Sequence, residues 1–498
     1  MARPARLLNS FAALMKRDIS RDNLPQDSLW NVVDVFSEIL GAPLRRRGGY
    51  LYASQNFATA VTATADHVTA GIWVPFSNGA VNVAFDEDGR AYAVTSNAAT
   101  TDIGAVIATK SPVFYSDMLI VPDSAGSAGP QKVTYSGGTT FAVTGLSGSP
   151  PAGKYALVYK DVLWLAASAA TGDRIWFSTA GNPEDTWDTA NKYLDVSYPI
   201  TGMAALNNAV FVFSLNRTAR VRGSIPPPDT DFIVDDPIFD VGCTDSRSIV
   251  NYRDKVIWAN AQGLFISDGT AMDDLTAICG MKNWWRDVMS GIDGFATGSE
   301  YDVSTWTIAG GVYRDFYVYA IMNGTTKVDA GVIDLKKYTW TRVKNLDADF
   351  FWRQGYPDEL YFGRRGAARV GSVSNMFSAA TASSADADGT SILPVVETGF
   401  FGADGSLKTL RMAFLEYDIR DPGSSNPYLT VSYIDSPEET SYTALTPNAL
   451  ETTAIAKEHF AINQPVRGVA FKIAQTGASS DTRIYGLDIT ANAREGNR

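Results

Sequence analysis

The stretch VGCTDSRSIVNYRDKVIWANAQGLFISDGT, residues 241–270, decides the fold. Short apolar runs such as 256–259 alternate in it with turns of Asp, Asn and Gly. Residues of the β-branched and aromatic types favour strands. The Asp-Gly pair at 268–269 supplies the positive φ that tight hairpins require. The stretch therefore predicts short antiparallel strands joined by tight turns.

The same pattern recurs along the chain at intervals of roughly 40 residues, the size of a propeller blade. Closing such blades into a ring hides the edges of their sheets. We therefore predict an all-β protein that contains a β-propeller of six or seven blades. The similar strand pairs lie at 81–95, 113–121, 155–166, 208–222, 249–267, 316–334 and 350–373.

The composition changes after residue 373. Residues 374–391 are small and polar, which is typical of a linker. Beyond them the strands alternate polar and apolar residues, which favours a C-terminal antiparallel β-sandwich with one wet face. We predict an N-terminal arm with a first strand at 1–40, the propeller at 41–373, the linker at 374–391 and the sandwich at 392–498.

One short helix is predicted between two blades, at 280–291. Its apolar residues Trp284, Trp285, Val288 and Met289 share one helical face, and glycine stands at each end.

The composition excludes several functional classes. Lys and Arg number 42 and Asp and Glu 54, so the formal net charge is −12. An acidic chain argues against a protein that wraps nucleic acid, because wrapping needs a basic face. Charged residues make up 19% and hydrophobic residues 45%, which suits a folded chain with a large core.

Histidine and cysteine are scarce. His67, His459, Cys243 and Cys279 are the complete set, and their spacing matches no metal site or disulfide scaffold. A catalytic triad would need one of the two histidines, and neither lies in a recognisable motif. We expect no metal, no cofactor and no enzymatic activity.

The beginning of the chain, MARPARLLNSFAALMKRD, resembles a signal peptide. Asn9 and Ser10 interrupt its apolar run, and charges at 16–18 end it without a cleavage site. Elsewhere no run approaches the ~20 apolar residues of a membrane helix. We expect no membrane segment.

Arg45, Arg46 and Arg47 form the densest basic cluster. Adjacent guanidinium groups repel one another unless acceptors face them. The cluster is a candidate anchor to another subunit or to a neighbouring adaptor protein, paired with acids such as Asp235 and Asp236. Contact with DNA phosphates and a solvated, exposed turn remain alternatives.

The segment SIPPPDTDFIVDD, residues 224–236, contains the consecutive prolines Pro226, Pro227 and Pro228. Consecutive prolines are incompatible with a central strand. The segment is predicted to be a rigid, projecting loop between blades. A contact to a neighbouring subunit and a simple crossover are both compatible with it.

Tryptophans recur across the predicted blades. Buried, they would fill the space between blades with each indole N–H paired, whereas exposed they would form a sugar-binding platform. Burial is the expectation for most of them. Trp187, in the polar loop NPEDTWD, is the candidate for an exposed contact.

Several segments together resemble the β-propeller virion proteins of tailed bacteriophages, especially the tail nozzle proteins of short-tailed phages. The densest match is DRIWFSTAGNPEDTWD (173–188) followed by YLDVSYPITGMAALNNAVFVFSLNRTARVRG (193–223) and then by residues 241–270. GAPLRRRGGY (41–50) and TGFFGADGSLKTLRMAFLEYDI (398–419) add weaker similarity. The architecture covers 40–373, and the motifs concentrate in about 170–270.

The resemblance implies a structural role without chemistry. It implies a homohexameric ring, a nozzle below the portal and adaptor, that retains packaged double-stranded DNA and lets it pass at ejection without tight binding. It also implies tail fibre or spike proteins as further partners. The protein would be synthesised in the host cytoplasm and located in the virion tail. The charge of −12 suits a DNA-repelling lumen, and ordinary solubility explains it equally. Gly48 stands where the family pattern often has proline.

A receptor-binding or glycan-binding propeller at the tail tip is the alternative function. A glycan-cleaving form would need two carboxylates, or an acid and a tyrosine, that converge at the propeller axis. With 54 acids and 22 tyrosines, composition does not exclude it.

Overall fold

The computed structural model describes the chain in segments separated by gaps. The described residues are 5–6, 13–18, 24, 28–37, 44–47, 51–52, 67–96, 99–206, 208–291, 300–355, 357–365, 369–377, 385–386, 388, 390–401, 408–422, 429–436, 441–445, 455–466, 468–475 and 479–493. Strands dominate these segments, which confirms the all-β prediction.

Short strands precede the ring of blades. They are β1 (Ala5–Arg6), β2 (Ala13–Met15), β3 (Ser28–Val33), β4 (Val35–Ser37), β5 (Leu44–Arg46) and β6 (Leu51–Tyr52).

Blades 1 to 4 are antiparallel meanders of four strands each. Blade 1 contains β7 (Val68–Phe76), β8 (Gly79–Asp86), β9 (Arg90–Ser96) and β10 (Ala99–Ala105). Blade 2 contains β11 (Val113–Tyr115), β12 (Met118–Val121), β13 (Gln131–Gly137) and β14 (Thr140–Gly145). Blade 3 contains β15 (Tyr155–Tyr159), β16 (Val162–Ala166), β17 (Arg174–Phe177) and β18 (Tyr193–Asp195). Blade 4 contains β19 (Gly202–Leu206), β20 (Ala209–Phe213), β21 (Thr218–Arg222) and β22 (Ile233–Phe239).

The remaining meanders follow in chain order. Blade 5 contains β23 (Val250–Tyr252), β24 (Lys255–Asn260), β25 (Gly263–Ser267) and β26 (Met272–Asp274), and helices α1 (Leu275–Ile278) and α2 (Lys282–Met289) come after it. Blade 6 contains β27 (Trp306–Tyr313), β28 (Phe316–Asn323), β29 (Thr326–Asp334) and β30 (Thr339–Arg342). Blade 7 contains β31 (Ala348–Gln354), β32 (Glu359–Arg364) and β33 (Val370–Ser372), and β6 is its fourth strand.

The prediction of six or seven blades is confirmed. In the described segments, six meanders are separate four-stranded sheets, and the seventh, blade 6, is part of a larger sheet. The first strand of each meander is its inner strand, and neighbouring blades contact one another around the ring. The ring closes where β31 contacts β7 and where β6 pairs with β33, joining Tyr52 to Gly371. A strand from before the first blade thus completes the last one.

Tryptophans fill the space between the blades, as predicted. Trp164 lies between blades 3 and 4, and Trp258 lies between blades 4 and 5, and neither is exposed. The expectation that each indole N–H is paired is wrong. The Nε1 atoms of Trp164, Trp258 and Trp340 are buried without a hydrogen-bond partner. Their packing area must therefore outweigh an unsatisfied donor at each position.

The predicted helix is confirmed as α2. Trp284, Trp285 and Val288 on its inner face are fully or almost fully buried. Gly280 and Gly291 adopt positive φ on either side of it, a conformation that glycine adopts without steric cost.

The C-terminal strands form a sandwich-like pair of sheets that share one core. The strands are β34 (Val395–Thr398), β35 (Lys408–Pro422), β36 (Leu429–Ile434), β37 (Thr443–Leu445), β38 (Ile455–Val466), β39 (Ala470–Gln475) and β40 (Ser479–Ala493). One sheet has the order β38-β35-β40-β5-β4, with β1 on β40. The other is the ten-stranded sheet β27-β28-β29-β30-β3-β34-β39-β36-β37, with β2 on β3.

The N-terminal strands join these sheets to the propeller. β3 lies parallel to β30 of blade 6 and antiparallel to β34. Leu29 and Val32 on β3 are fully buried in the common core, which also holds Leu415 and Phe471. The sandwich therefore recruits strands from both ends of the chain. The three predicted domain boundaries, at 40/41, 373/374 and 391/392, stay predictions.

Replacing Gly71 with Ala is expected to destabilise the closure of the ring. A Cβ atom at Gly71 on β7 would overlap the indole ring of Trp352 on β31. Overpacking of this kind costs about 1–3 kcal/mol, which urea unfolding followed by tryptophan fluorescence would measure. Since the two positions touch, Gly71→Ala combined with Trp352→Leu should cost less than the sum of the single changes. Strictly additive losses would contradict the contact.

Candidate functional site

The predicted contact loop at 224–236 lies inside blade 4, between β21 and β22. Its predicted position between two blades is therefore wrong. The reason is that β22 begins within the segment and pairs with β21 in the register Arg222 to Ile233. The acidic end of the segment is thus an outer strand, and its first part is a hairpin loop.

Two contacts fix the conformation of this hairpin loop. The Asp231 carboxylate accepts hydrogen bonds from the backbone N–H of Ile225 (2.6 Å) and from the Ser224 hydroxyl (2.8 Å). Hydrogen bonds to the backbone N–H groups of Ser224 and Ile225 hold the pKa of Asp231 below its usual value. The Phe232 ring packs between blades, with its centroid 5.2 Å from that of Trp164. The loop is held rigidly at its carboxyl end.

The three prolines differ in exposure. Pro226 is half-buried, Pro227 is buried and Pro228 is exposed. A run that projects as a whole into solvent is therefore not observed, because the hairpin turns Pro227 inward.

The two candidate acids, Asp235 and Asp236, have partners within blade 4 or in the loop that leads into it. Asp235 binds Arg220 (Nη2 to Oδ2, 2.9 Å) and Arg222 (Nε to Oδ2, 2.7 Å) across the β21–β22 pair. Its hydrogen bond with Arg222 holds the pKa of Asp235 below its usual value. Asp236 accepts a hydrogen bond from the backbone N–H of Ser197 (2.6 Å). Arg47, the member of the arginine cluster whose side chain is described, pairs with other acids, Asp34 and Asp386.

The arginine cluster is split by the structure. Arg45 and Arg46 belong to β5, where Arg45 pairs in register with Phe36 and Arg483, and their side chains lie outside the described residues. Arg47 is fully buried, so its predicted role as an exposed interface residue is wrong. It directly follows the strand, and its side chain enters the interior.

Arg47 is held by two buried carboxylates. Its Nε lies 2.6 Å from Asp34 Oδ1, and its Nη2 lies 2.6 Å from Asp386 Oδ2. Its Nη1 also donates to Asp386 Oδ1 (2.7 Å). Burial lowers the pKa of Arg47, but the charges of Asp34 and Asp386 outweigh it and the net shift is upward. Arg47 thus links the N-terminal strands to the segment predicted as a linker.

Trp187 is buried, with 7% of its surface exposed, so the prediction of an exposed contact is wrong. Its indole N–H donates to the Pro183 carbonyl (3.0 Å), and its ring packs with Leu146 and Leu165 between blades 2 and 3. The loop around it is polar because the backbone turns there, while the ring itself completes an apolar core.

Blade 4 carries exposed apolar side chains at both ends of its strands, which the sequence interpretation missed. Of the seven exposed large hydrophobic side chains of the described residues, four lie on blade 4 or the loop leading into it. We call these four residues together the blade-4 patch: Tyr198 (38% exposed) and Leu215 (45%) lie at the end of the blade where β21 begins, and Ile225 (49%) and Ile233 (56%) lie at the end where β21 ends. The Arg217 guanidinium stacks 4.6 Å from the Tyr198 ring centroid. The sequence does contain a signal for such exposure: Leu215 is an apolar residue inside the polar turn Ser214-Leu215-Asn216.

A cavity of about 500 Å³ follows the propeller axis. Inner strands and the segments just before them line it, from blades 2 to 7. Lys110 and Arg247 lie in segments that precede inner strands, and Tyr155 begins one. Apolar wall residues include Leu157, Met203 and Ile249, while Asn251 and Arg353 line the cavity further along their strands. The cavity is therefore charged where inner strands begin, and its wall beyond mixes apolar and polar residues.

A cluster of charges surrounds the polar part of the cavity. Arg247 binds Asp245 (Nη2 to Oδ2, 2.7 Å) and Asp349 (Nη1 to Oδ1, 3.1 Å), and its Nη2 donates to the Thr307 hydroxyl (2.8 Å). Arg365 binds the same Asp349 oxygen at 3.1 Å. These residues come from blades 5, 6 and 7 and the loops before them. The cluster joins these three blades near the axis.

The Asp245 carboxyl in this cluster is poorly suited to donate a proton. Burial raises the pKa of Asp245, but the charge of Arg247 outweighs it and the net shift is downward. A general acid needs the opposite shift. Asp349 is fully buried, and its Oδ2 lacks a hydrogen-bond partner. The Asp349 carboxylate therefore holds the arginines in place and does not face the cavity.

Lys110 differs from the arginines beside it. Within the described segments it forms no ion pair, and solvent reaches it. The charge of Arg247, together with burial, lowers the pKa of Lys110. Burial raises the pKa of Tyr155, so its hydroxyl stays protonated. The cavity thus presents an ammonium and a phenol that protein groups leave free.

The two cysteines were also considered from the sequence as possible site residues. Cys243 and Cys279 are free and buried, and burial raises the pKa of each thiol to about 12. In the described part of the chain, no cluster of three His, Cys, Asp or Glu could hold a metal ion. The same part contains no helix with the length and apolar character needed to span a membrane.

No protein-family model matches the sequence, and no curated protein matches it. Among solved structures, the chain is similar to BBS1N in complex with ARL6DN, at 12% identity, 66% coverage of this chain, 97% of that one and a TM-score of 0.40. It is also similar to the extracellular domain of a hybrid two-component system from B. thetaiotaomicron (11%, 92%, 58% and 0.43). A family 43 arabinoxylan arabinofuranohydrolase from Bacillus subtilis is similar as well (10%, 89%, 99% and 0.25). At TM-scores this low, the similarities carry no argument about function.

Proposed function

We propose that the chain is a structural subunit of a phage tail nozzle, a homohexameric ring below the portal and adaptor. The observation that carries the proposal is the blade-4 patch. The segments that resemble nozzle proteins, 173–223 and 241–270, fall in blades 3 to 5, on and around that blade. Packaged DNA would be retained by the ring and released through it.

The exposed residues at each end of blade 4 have properties found at protein contacts, and a neighbouring subunit that lies along the blade would reach both ends. Interfaces concentrate aromatic, apolar and arginine side chains at their centres, and Tyr198 with its stacked Arg217 is such a pair. Ile225 and Ile233 are exposed on a loop and strand that Asp231 and Phe232 hold rigidly. A rigid surface loses little conformational entropy on binding. A second copy of the chain is the proposed occupant.

The charge of the chain supports passage of DNA without tight binding. With a net charge of −12, a ring of several copies repels the phosphate backbone in its lumen. The adaptor and the tail fibre or spike proteins are proposed to bind at other surfaces of the ring. The proposed location of the protein is the virion tail.

Replacing Ile233 with Lys is expected to weaken ring assembly at least about tenfold, because a charge would be buried in the contact. Ile278→Lys is the matched control, since Ile278 is also exposed (46%) but belongs to α1. Sedimentation velocity over a concentration series measures assembly, and circular dichroism checks folding. Equal assembly of the two folded variants would reject blade 4 as the contact.

A glycan-binding or glycan-cleaving propeller is the second candidate, and the axial cavity is the observation that favours it. The carboxylates Asp245 and Asp349 beside the cavity are engaged by Arg247, which favours binding over cleavage. Retention of the isolated protein on host cells would support a lectin. Release of reducing sugar from the host surface polymer would support an enzyme.

A further inference from the structure

We propose that the axial cavity binds a small organic anion, a carboxylate or a phosphate monoester, with its acidic group at Lys110 and its apolar body along the channel wall. The inference does not depend on the nozzle proposal, because the cavity belongs to a single chain.

The charge balance around the cavity leaves one cation unmatched. Arg247 and Arg365 share the carboxylates Asp245 and Asp349 in direct ion pairs. Lys110 has no such partner in the described segments, and Arg247 is the cation that influences it most. The charges of Asp245 and Asp349 offset the repulsion by Arg247 only in part, because the net shift of the Lys110 pKa is downward, and a bound anion would relieve the rest.

A hydroxyl group of the wall adds a donor for an anion. Tyr155 lines the same cavity, and its hydroxyl bonds to no described residue. Ser111, next to Lys110, also lines the cavity, but its hydroxyl is engaged with Ala156, donating to the carbonyl (3.2 Å) and accepting from the N–H (3.4 Å), so Tyr155 is the hydroxyl available to a ligand. An anionic group at Lys110 thus has an ammonium and a free phenol available, a charge-assisted arrangement.

The rest of the cavity selects for an organic ligand. Its volume of about 500 Å³ exceeds what an inorganic ion fills and lies in the range of small-molecule sites. Leu157, Met203 and Ile249 offer apolar surface beside the charged part. A compact apolar body attached to the acidic group would bury area against these side chains.

Isothermal titration calorimetry of the full chain with benzoate, phenyl phosphate and inorganic phosphate tests the inference. We expect at least one of the two organic probes to bind, and whichever binds identifies the acidic group. Lys110→Met should weaken that binding about tenfold or more, because a hydrogen bond to a charged group is lost. Lys110→Arg should retain most of it.

Two controls make the outcome decisive. Lys132→Met removes a lysine outside the cavity that is paired with Glu184, and it should leave binding unchanged. Thermal unfolding of each variant confirms that it folds. Binding of inorganic phosphate alone, equal binding by Lys110→Met and wild type, or no binding of either organic probe would each overturn the inference.

Discussion

Replacing Arg47 with Met is expected to lower the free energy of unfolding by about 3–5 kcal/mol, the usual cost of breaking a buried ion pair. The change leaves Asp34 and Asp386 buried without their cation. Because these acids lie in the N-terminal strands and in the segment near 386, the loss should loosen the attachment between them. Urea unfolding followed by tryptophan fluorescence measures the effect.

Matched substitutions separate burial from charge. Arg353, which is about half-exposed, pairs with Asp358 at 2.8 Å, so Arg353→Met should cost no more than about 1 kcal/mol. Arg47→Lys keeps the charge but loses the two-pronged contact with Asp386, and an intermediate loss is expected. A cost for Arg47→Met no larger than that for Arg353→Met would contradict the buried triad.

Replacing Arg247 with Met is also expected to lower the free energy of unfolding by about 3–5 kcal/mol at pH 7. Asp245 and Asp349 would lose their shared cation, and Asp349 is fully buried. The contacts among blades 5, 6 and 7 near the axis would weaken, and thermal unfolding should begin at lower temperature. Arg253→Met is the control, because Arg253 pairs with Asp315 at the surface (2.6 Å) and is 60% exposed.

The effect of Arg247→Met should depend on pH in a defined direction. The folded-state pKa of Asp245 lies below its ordinary value, so its contribution to stability is present above the unfolded-state pKa and is lost as the pH falls through the folded one. The difference in stability between wild type and Arg247→Met should therefore shrink below about pH 4. A difference that grows on acidification would contradict the assigned pairing.

The propeller could be predicted because its signals are local. Asp268-Gly269 and the apolar runs beside it lie in the same hairpin that they specify. The recruitment of N-terminal strands was not predictable, since β5 pairs with β40 across almost the whole chain and no local pattern records that partner. The same holds for Arg47, whose counterion Asp386 is 339 positions away in sequence.

The axial cavity could be predicted only weakly from the sequence, because no single segment shows which charged residues meet at the axis. Charged residues stand at or just before the inner strands, as with Lys110, Arg247 and Asp349. Only the closure of the ring brings them together, so their shared chemistry depends on the tertiary structure. The prediction that Trp187 is exposed was wrong because it relied on the polar residues next to it in sequence. Its actual surroundings are apolar and are supplied by the distant residues Leu146 and Leu165.

Electron imaging of the purified wild-type chain would show whether it assembles as a ring. We expect closed rings of six copies, with blade 4 at the boundary between neighbours. Isolated propellers at every concentration at which the protein stays folded would contradict the proposed assembly.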